Sequence, residues 1–300
     1  MKVLVSDGIE KVGSDFMKNA GAEVVDKKLT PEELLKEIGK YDAIIVRSAT
    51  KVTKEVIDAG NLKAIGRGGV GLDNIDVEYA KSKGIHVLNT PGASSISVAE
   101  LAIAHMFAVS RFLNTSSMEM KAGKWPKKEY SAGVELTNKT LGLLGFGNIG
   151  KETAKRALGL GMKVIAFDPF VTSTDMNVTL CSKYEVLKQA DYISLHLPLI
   201  KGEPVPVAAP EFEKMKNGVI VINCARGGVV DEADLLAALK SGKVAAAGVD
   251  VFINEPTTDA QKELIAHPRV SATPHIGAST NEAQDRIGIE IAEKIINAIK

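Results

Sequence analysis

Cysteine is nearly absent. Cys181 and Cys224 are the only two in 300 residues, with no C-x-x-C pair and no regular spacing, which excludes a disulfide framework and a cysteine metal cluster. Net charge is missing too, since Lys+Arg 37 balance Asp+Glu 37. Binding driven by phosphate groups needs a marked basic excess, so neither nucleic acid nor a membrane surface is an expected partner. Long apolar runs are also lacking. The start, MKVLVSDG, is too brief for a signal peptide or a span, and the apolar stretch SVAELAIAHMFAVS is interrupted by Glu100 and His105. A cytoplasmic location is the expectation. The five histidines show neither H-x-x-x-H nor H-E-x-x-H spacing, so no metal site is expected.

What remains is an ordinary globular composition, 45% hydrophobic and 25% charged, on a chain long enough for two domains. Short β-branched runs alternate with segments of helical period from end to end. That alternation predicts an α/β fold with parallel sheets covered by crossover helices. A first strand series falls at 2–6, 23–25, 43–46, 64–66 and 86–88. A second falls at 140–145, 163–167, 192–195, 219–223, 246–249 and 270–272, and six strands make the full set for a dinucleotide-binding sheet. Thr30-Pro31-Glu32-Glu33 predicts a capped helix start, and Ser279-Thr280-Asn281-Glu282 a second one before the terminal helix. Between the two series, 95–122 predicts one long amphipathic helix stopped by Gly123.

Gly145-Phe146-Gly147-Asn148-Ile149-Gly150 matches G-x-G-x-x-G directly after an apolar strand and directly before a helical segment. Glycines permit the tight turn and close approach of backbone, and a helix N-terminus offers free N–H groups to a pyrophosphate. Asp168 ends the next strand, 18 residues beyond Gly150. A carboxylate at about that spacing binds a ribose 2′-hydroxyl and repels a 2′-phosphate, so NAD is expected in preference to NADP.

Ligands of open parallel sheets bind beyond the carboxyl ends of the strands. Three such ends carry Cys224-Ala225-Arg226, Asp250 through Glu255, and Thr273-Pro274-His275. Singly, each has a plain structural explanation. Together they suit oxidation of a 2-hydroxy acid: Arg226 offers a planar fork to a carboxylate or carbonyl oxygen, His275 moves the hydroxyl proton, and Glu255 orients the imidazole. Asp250 is a candidate acceptor for the nicotinamide amide. Cys224 is read as a packing residue rather than a nucleophile.

At these residues the chain resembles the D-isomer-specific 2-hydroxyacid dehydrogenases, closest to their branch acting on 3-phospho-D-glycerate. The segments that carry the resemblance are IVRSATKVT (45–53), GRGGVGLDNID (66–76), LNTPGASSISVAEL (88–101), GLLGFGNIGKE (142–152), NCARGGVVDE (223–232), DVFINEP (250–256) and TPHIGAST (273–280).

The resemblance implies two Rossmann-like or flavodoxin-like domains: a discontinuous substrate domain of 1–92 plus 280–300, and an inserted NAD-binding Rossmann domain of 93–279. It implies Arg226, Glu255 and His275 as catalytic residues. Cofactor contacts are implied for Gly145, Gly147, Asn148, Ile149, Gly150, Asp168, Cys224, Ala225, Asp250, Gly277, Ala278 and Val70. For a phosphorylated 2-hydroxy acid it implies Arg47, Ser48, Lys51, Gly69, Val70 and Arg226. The 95–122 segment is similar to the family's dimer-forming region, so a homodimer is expected.

The chain departs from its relatives in LIKGEPVPVAAPEFEKM at 199–215 and in Leu197, where a threonine is frequent. It ends at Lys300, so feedback by serine through a C-terminal domain is not expected. Two other readings fit the same residues: a glyoxylate or hydroxypyruvate reductase, and an NAD-sensing corepressor, because fold alone does not fix function.

Overall fold

Twelve strands form two all-parallel sheets in the computed structural model, which describes residues 1–200 and 202–300. The chain divides into two units, Met1–Ser95 with Ala278–Lys300, and Ile96–Gly277.

The first unit holds β1 (Lys2–Val5), β2 (Glu23–Asp26), β3 (Ala43–Val46), β4 (Ala64–Arg67) and β5 (His86–Asn89), in the order β2-β1-β3-β4-β5. The runs KVLV and AIIV are buried almost throughout, as strands with helices on both faces must be. The terminal helix Asn281–Ile299 completes this core with Ile291, Ala292, Ile295 and Ile296. Thr30 and Glu33 make the expected reciprocal cap, at 3.3 and 2.9 Å. At the terminal helix the cap is Thr280, accepting from Ala283 N, and not a box beginning at Ser279. The shift follows from phase: Thr280 is the last extended residue, which makes Ala283, without a reciprocating side chain, the third helical position.

The second unit holds β6 (Thr140–Leu144), β7 (Lys163–Phe167), β8 (Thr179–Leu180), β9 (Tyr192–Leu195), β10 (Val219–Asn223), β11 (Val244–Val249) and β12 (Val270–Ala272), in the order β12-β11-β10-β9-β6-β7-β8. The chain enters at the centre on β6, winds outward to β8, then returns to β9 on the other side. The strand order therefore switches between β6 and β9, and the glycine-rich turn leaves β6 at that point. Seven strands stand where six are expected. The addition, β8, is two residues on the sheet edge, too short for any alternation to register.

The segment 95–122 is two helices, Ser95–Ser110 and Leu113–Lys121, bent by 65°. Phe112 takes the left-handed conformation at the break, φ 55°. Its ring lies 5.6 Å from that of Tyr130, and the Arg269 guanidinium sits 4.9 Å over it. Tertiary contacts thus hold a break that Arg-Phe-Leu-Asn does not announce locally. Among the described residues no single helix is long and apolar enough to cross a membrane; the bent pair is apolar because Val98, Ala102, Ile103, Met106 and Val109 are core residues. In the 199–215 segment, Lys201 lies outside the described residues, Val207 bridges Val230, and a short helix spans Ala209–Lys214.

Helix Ser95–Ser110 presses His105 onto β11 at Gly248, where an added Cβ would lie 2.5 Å from His105 Cβ and 2.9 Å from Ile222 Cδ1. Gly248→Ala is therefore expected to lower stability by about 1–3 kcal/mol, read from the midpoint of a urea titration. An unchanged midpoint would mean that the helix can shift freely off the sheet.

Candidate active site

The turn after β6 has the shape that its glycines suggest. Gly145 sits at φ +97°, and a Cβ there would lie 2.4 Å from His196 O. A Cβ on Gly150 would meet Gly145 O at the same distance, whereas around Gly147 there is nothing within 4 Å. Two glycines thus close the turn and the middle one leaves its outer side open to a ligand. Helix Asn148–Gly159 starts there, so the N–H groups of Asn148, Ile149 and Gly150 belong to its first turn.

Asp168 folds back onto the turn. One of its oxygens accepts from Phe146 N at 2.8 Å and the other from Phe170 N at 2.9 Å, which fixes the carboxylate beside the glycine loop with lone pairs to spare for a diol. An open glycine facing a helix start, next to an anchored carboxylate, fits a dinucleotide lacking a 2′-phosphate.

His196, unnoticed in the sequence, lies beneath this turn. Its Nε2 is 3.1 Å from Ser194 Oγ, while its buried Nδ1 has no hydrogen-bond partner among the described residues. Burial drives its pKa down to about 4, so the ring is neutral near pH 7. Its position, one residue after a central strand of the sheet, was the available signal.

At the carboxyl ends of β10, β11 and β12 the charged residues gather. His275 Nδ1 lies 2.6 Å from Glu255 Oε2, with side chains 46% and 37% exposed. The other oxygen of Glu255 accepts from Phe252 N at 2.9 Å, so its own loop aims the carboxylate. His275 is a rare non-glycine residue with positive φ, 54°. The loop that carries it is pinned to Asp250, which is 1% exposed and accepts from Thr273 Oγ1 at 2.6 Å, Ile276 N at 2.9 Å and Gly277 N at 2.8 Å. A cavity of about 510 Å3, walled by Phe252, Pro256, Ile265 and Pro274, opens beside the pair. Arg226 is half-buried in the loop after β10, with Nη1 donating to Ala225 O at 2.7 Å and Asn223 Nδ2 donating to Arg226 O. Cys224 and Ala225 are buried just before it, and burial pushes the Cys224 thiol well above its usual range, which suits packing rather than nucleophilic attack.

Two positioning residues on this rim escape sequence reasoning. A Cβ on Gly227 would lie 2.0 Å from Phe252 O, so the Arg226 loop and the Glu255 loop touch backbone to backbone there. Glu232 accepts from Ile253 N at 2.7 Å and from Gln261 Nε2 at 2.9 Å, tying down the same segment. The paired glycines of C-A-R-G-G were the only local hint.

The remaining candidates lie in the first unit. Arg47 donates through Nε to Gly8 O at 3.2 Å and through Nη1 to Gln284 Oε1, and its Nη2 is 3.6 Å from Glu10. Its loop is built by Asp7, which accepts from Arg47 N and Thr50 N, and by Asn74, which donates to the carbonyls of Arg47 and Thr50. Ser48 and Lys51 are exposed on it. Gly69 is at φ +146°, packed against the Arg67 guanidinium, and Val70 O accepts from Asn89 Nδ2. Ala278 O accepts from Gln284 Nε2 just before the terminal helix.

Comparison with known proteins agrees with this geometry. Residues 103–277 match the family profile of the D-isomer specific 2-hydroxyacid dehydrogenase, NAD binding domain. The chain is 50% identical over 301 residues to a hydroxypyruvate reductase of Thermotoga maritima, covering 99% of this chain and 98% of that protein. It is 47% identical over 305 residues to a D-3-phosphoglycerate dehydrogenase of Archaeoglobus fulgidus, covering 100% of this chain but 58% of that protein, so it spans little more than half the length of such a relative. A crystal structure of a glyoxylate reductase from Paecilomyes thermophila superposes with TM-score 0.91 at 32% identity, covering 100% of this chain and 95% of that one. The chain belongs to the D-isomer-specific 2-hydroxyacid dehydrogenases, a family of NAD-dependent oxidoreductases.

Proposed function

We propose that this protein oxidises 3-phospho-D-glycerate to 3-phosphohydroxypyruvate, the first oxidation toward L-serine, with His275 as acid/base, Glu255 as its orienting carboxylate and Arg226 as the substrate clamp. The observation that carries the reading is the 2.6 Å contact between Glu255 and His275 on the same sheet as the glycine turn. With Nδ1–H directed at Glu255, Nε2 is left bare to accept the hydroxyl proton. The imidazolium that forms is stabilised by the carboxylate already beside it. Bound NAD supplies the hydride acceptor. Arg226 holds the substrate carboxylate and the oxygen that becomes a carbonyl, which a planar fork does better than a point charge.

The cofactor side of the proposal rests on Gly145, Gly147, Asn148, Ile149 and Gly150 for pyrophosphate, Asp168 for the adenosine ribose, and Asp250 for the nicotinamide amide. Cys224, Ala225, Gly277, Ala278 and Val70 would supply contacts around it. The first unit would serve as the substrate domain and the second as the cofactor domain.

For the phosphate we assign Arg47, Ser48 and Lys51, with Gly69 and Val70 lining the substrate. Because Arg47 also ties Gly8 and Gln284, Lys51→Ala is the cleaner probe. It is expected to raise KM for phosphohydroxypyruvate by about tenfold and to leave hydroxypyruvate nearly unaffected, in assays of NADH consumption. Equal effects on both substrates would remove the phosphate role from Lys51.

A second reading keeps the chemistry and changes the substrate. The 50% identity to a hydroxypyruvate reductase, over nearly the full length of both chains, favours it specifically. Side-by-side kcat/KM values for phosphohydroxypyruvate, hydroxypyruvate and glyoxylate separate the two; good turnover of hydroxypyruvate with none of the phosphorylated acid selects the reductase.

We further propose a cytoplasmic homodimer. Leu113 and Met120, seven residues apart on one side of helix Leu113–Lys121, and Trp125 just after it are exposed, an apolar surface that a second copy would cover. Light scattering giving the mass of a single chain would defeat this.

A further inference from the structure

We propose that His105, buried behind the rim and far from it in sequence, is a positioning residue for the His275 loop, acting through one directional chain of side-chain hydrogen bonds. The proposal rests on the reading of His275 as acid/base.

The chain is laid out by its distances. Asn114 Nδ2 is 2.9 Å from Ser271 Oγ, Ser271 Oγ is 2.9 Å from His105 Nδ1, His105 Nε2 is 3.1 Å from Thr273 Oγ1, and Thr273 Oγ1 is 2.6 Å from Asp250 Oδ1. Donor and acceptor roles then follow from chemistry alone. The Asp250 carboxylate already takes two backbone N–H groups and accepts only, so the Thr273 hydroxyl donates to it. Thr273 Oγ1 must therefore accept from His105, which puts the imidazole proton on Nε2. Nδ1 is left as an acceptor, so Ser271 donates to it and in turn accepts from the Asn114 amide. Each hydroxyl donates once and accepts once.

His105 is 2% exposed, Ser271 4% and Asp250 1%, so water does not compete for the bond between His105 and Ser271, and it reaches the chain only at exposed Asn114 and half-buried Thr273. Burial lowers the His105 pKa, against a smaller upward pull from Asp250, and a neutral ring is what the chain requires. Gly248 makes the seat possible, because any side chain there would occupy the place of the imidazole.

The consequence falls on Asp250. Its two oxygens hold Ile276 N and Gly277 N, and its backbone oxygen accepts from His275 N at 2.8 Å. These bonds fix the loop that keeps His275 at its left-handed φ. Without His105 the Thr273 hydroxyl is free to rotate, Asp250 loses a directed donor, and the acid/base loosens although no residue at the rim has changed.

The test uses the full-length protein and two kinds of readout. Nitrogen-15 NMR of the wild type, with His105→Leu to assign the resonance, is expected to show His105 neutral and protonated on Nε2 at pH 7. Proton on Nδ1, or a charged ring, overturns the inference whatever the turnover.

In kinetics, His105→Leu and Thr273→Val are each expected to lower kcat roughly tenfold or more, with KM for the 2-oxo acid little changed. The double variant should be no worse than the poorer single one, because both cut one chain. Thr273→Ser, which keeps the hydroxyl, should recover most of the loss. Losses that multiply, or a serine variant as poor as the valine one, overturn it. Wild type inactive on every 2-oxo acid would instead defeat the acid/base reading and leave the NMR result to decide the chain.

Discussion

His275→Asn is expected to reduce kcat by about 10²–10⁴-fold, the usual worth of a positioned acid/base, while NADH still binds. Asparagine is the more informative replacement than alanine. The native residue sits at φ 54°, a conformation that asparagine tolerates far better than most side chains. A loss in His275→Asn therefore reports on the missing imidazole rather than on a refolded loop. Glu255→Gln should cost less, roughly 10²-fold. The amide keeps the shape but cannot stabilise an imidazolium, and it can turn its NH2 toward Nδ1 and favour the wrong tautomer. Steady-state NADH kinetics, with cofactor affinity from fluorescence titration, check both. Should His275→Asn keep kcat within about threefold, the acid/base lies elsewhere and the reading of the rim fails.

How far this arrangement can be foreseen depends on whether the information is local. The turn from Gly145 to Gly150 is legible because spacing, strand and helix are contiguous. Arg226, Glu255 and His275 are legible as a group because each follows a strand, and a parallel sheet brings successive carboxyl ends to one rim. Strand β8 was not legible, being two residues held by its neighbour alone. The break at Phe112 was not either, since Tyr130 and Arg269 stabilise it from distant parts of the chain. His105 illustrates the same limit. Sequence shows it only as an interruption in an apolar helix, and its meaning appears when β11 and β12 supply Gly248, Ser271 and Thr273 around it. Arg47 shows the reverse: a charge that reads as a ligand for phosphate also has structural work within its own unit, holding Gly8 and Gln284.

Gly227→Ala is expected to damage both stability and catalysis, although position 227 carries no functional group and its φ is ordinary. The Cβ would lie 2.0 Å from Phe252 O, 2.2 Å from Phe252 C and 2.6 Å from Ile253 N. All three are backbone atoms, so no rotamer change relieves the contact, and the two loops must part by more than 1 Å to reach ordinary van der Waals separation. On one side of that seam stands Arg226, and on the other the segment whose Phe252 N aims Glu255. Overpacking of this kind costs about 1–3 kcal/mol. A displacement near 1 Å between groups that act together can cost about 10²-fold in rate. The expected signature is a lowered urea midpoint with kcat reduced roughly a hundredfold and the pyrophosphate side intact, so NADH still binds. Glu232→Gln offers the contrast: it keeps an acceptor for Ile253 N but turns a second donor toward Gln261 Nε2, so it should lower the urea midpoint while leaving kcat nearly unchanged. If Gly227→Ala turns over at the wild-type rate, the two loops need not touch for the chemistry, and the spacing of Arg226 from Glu255 is not what sets the rate.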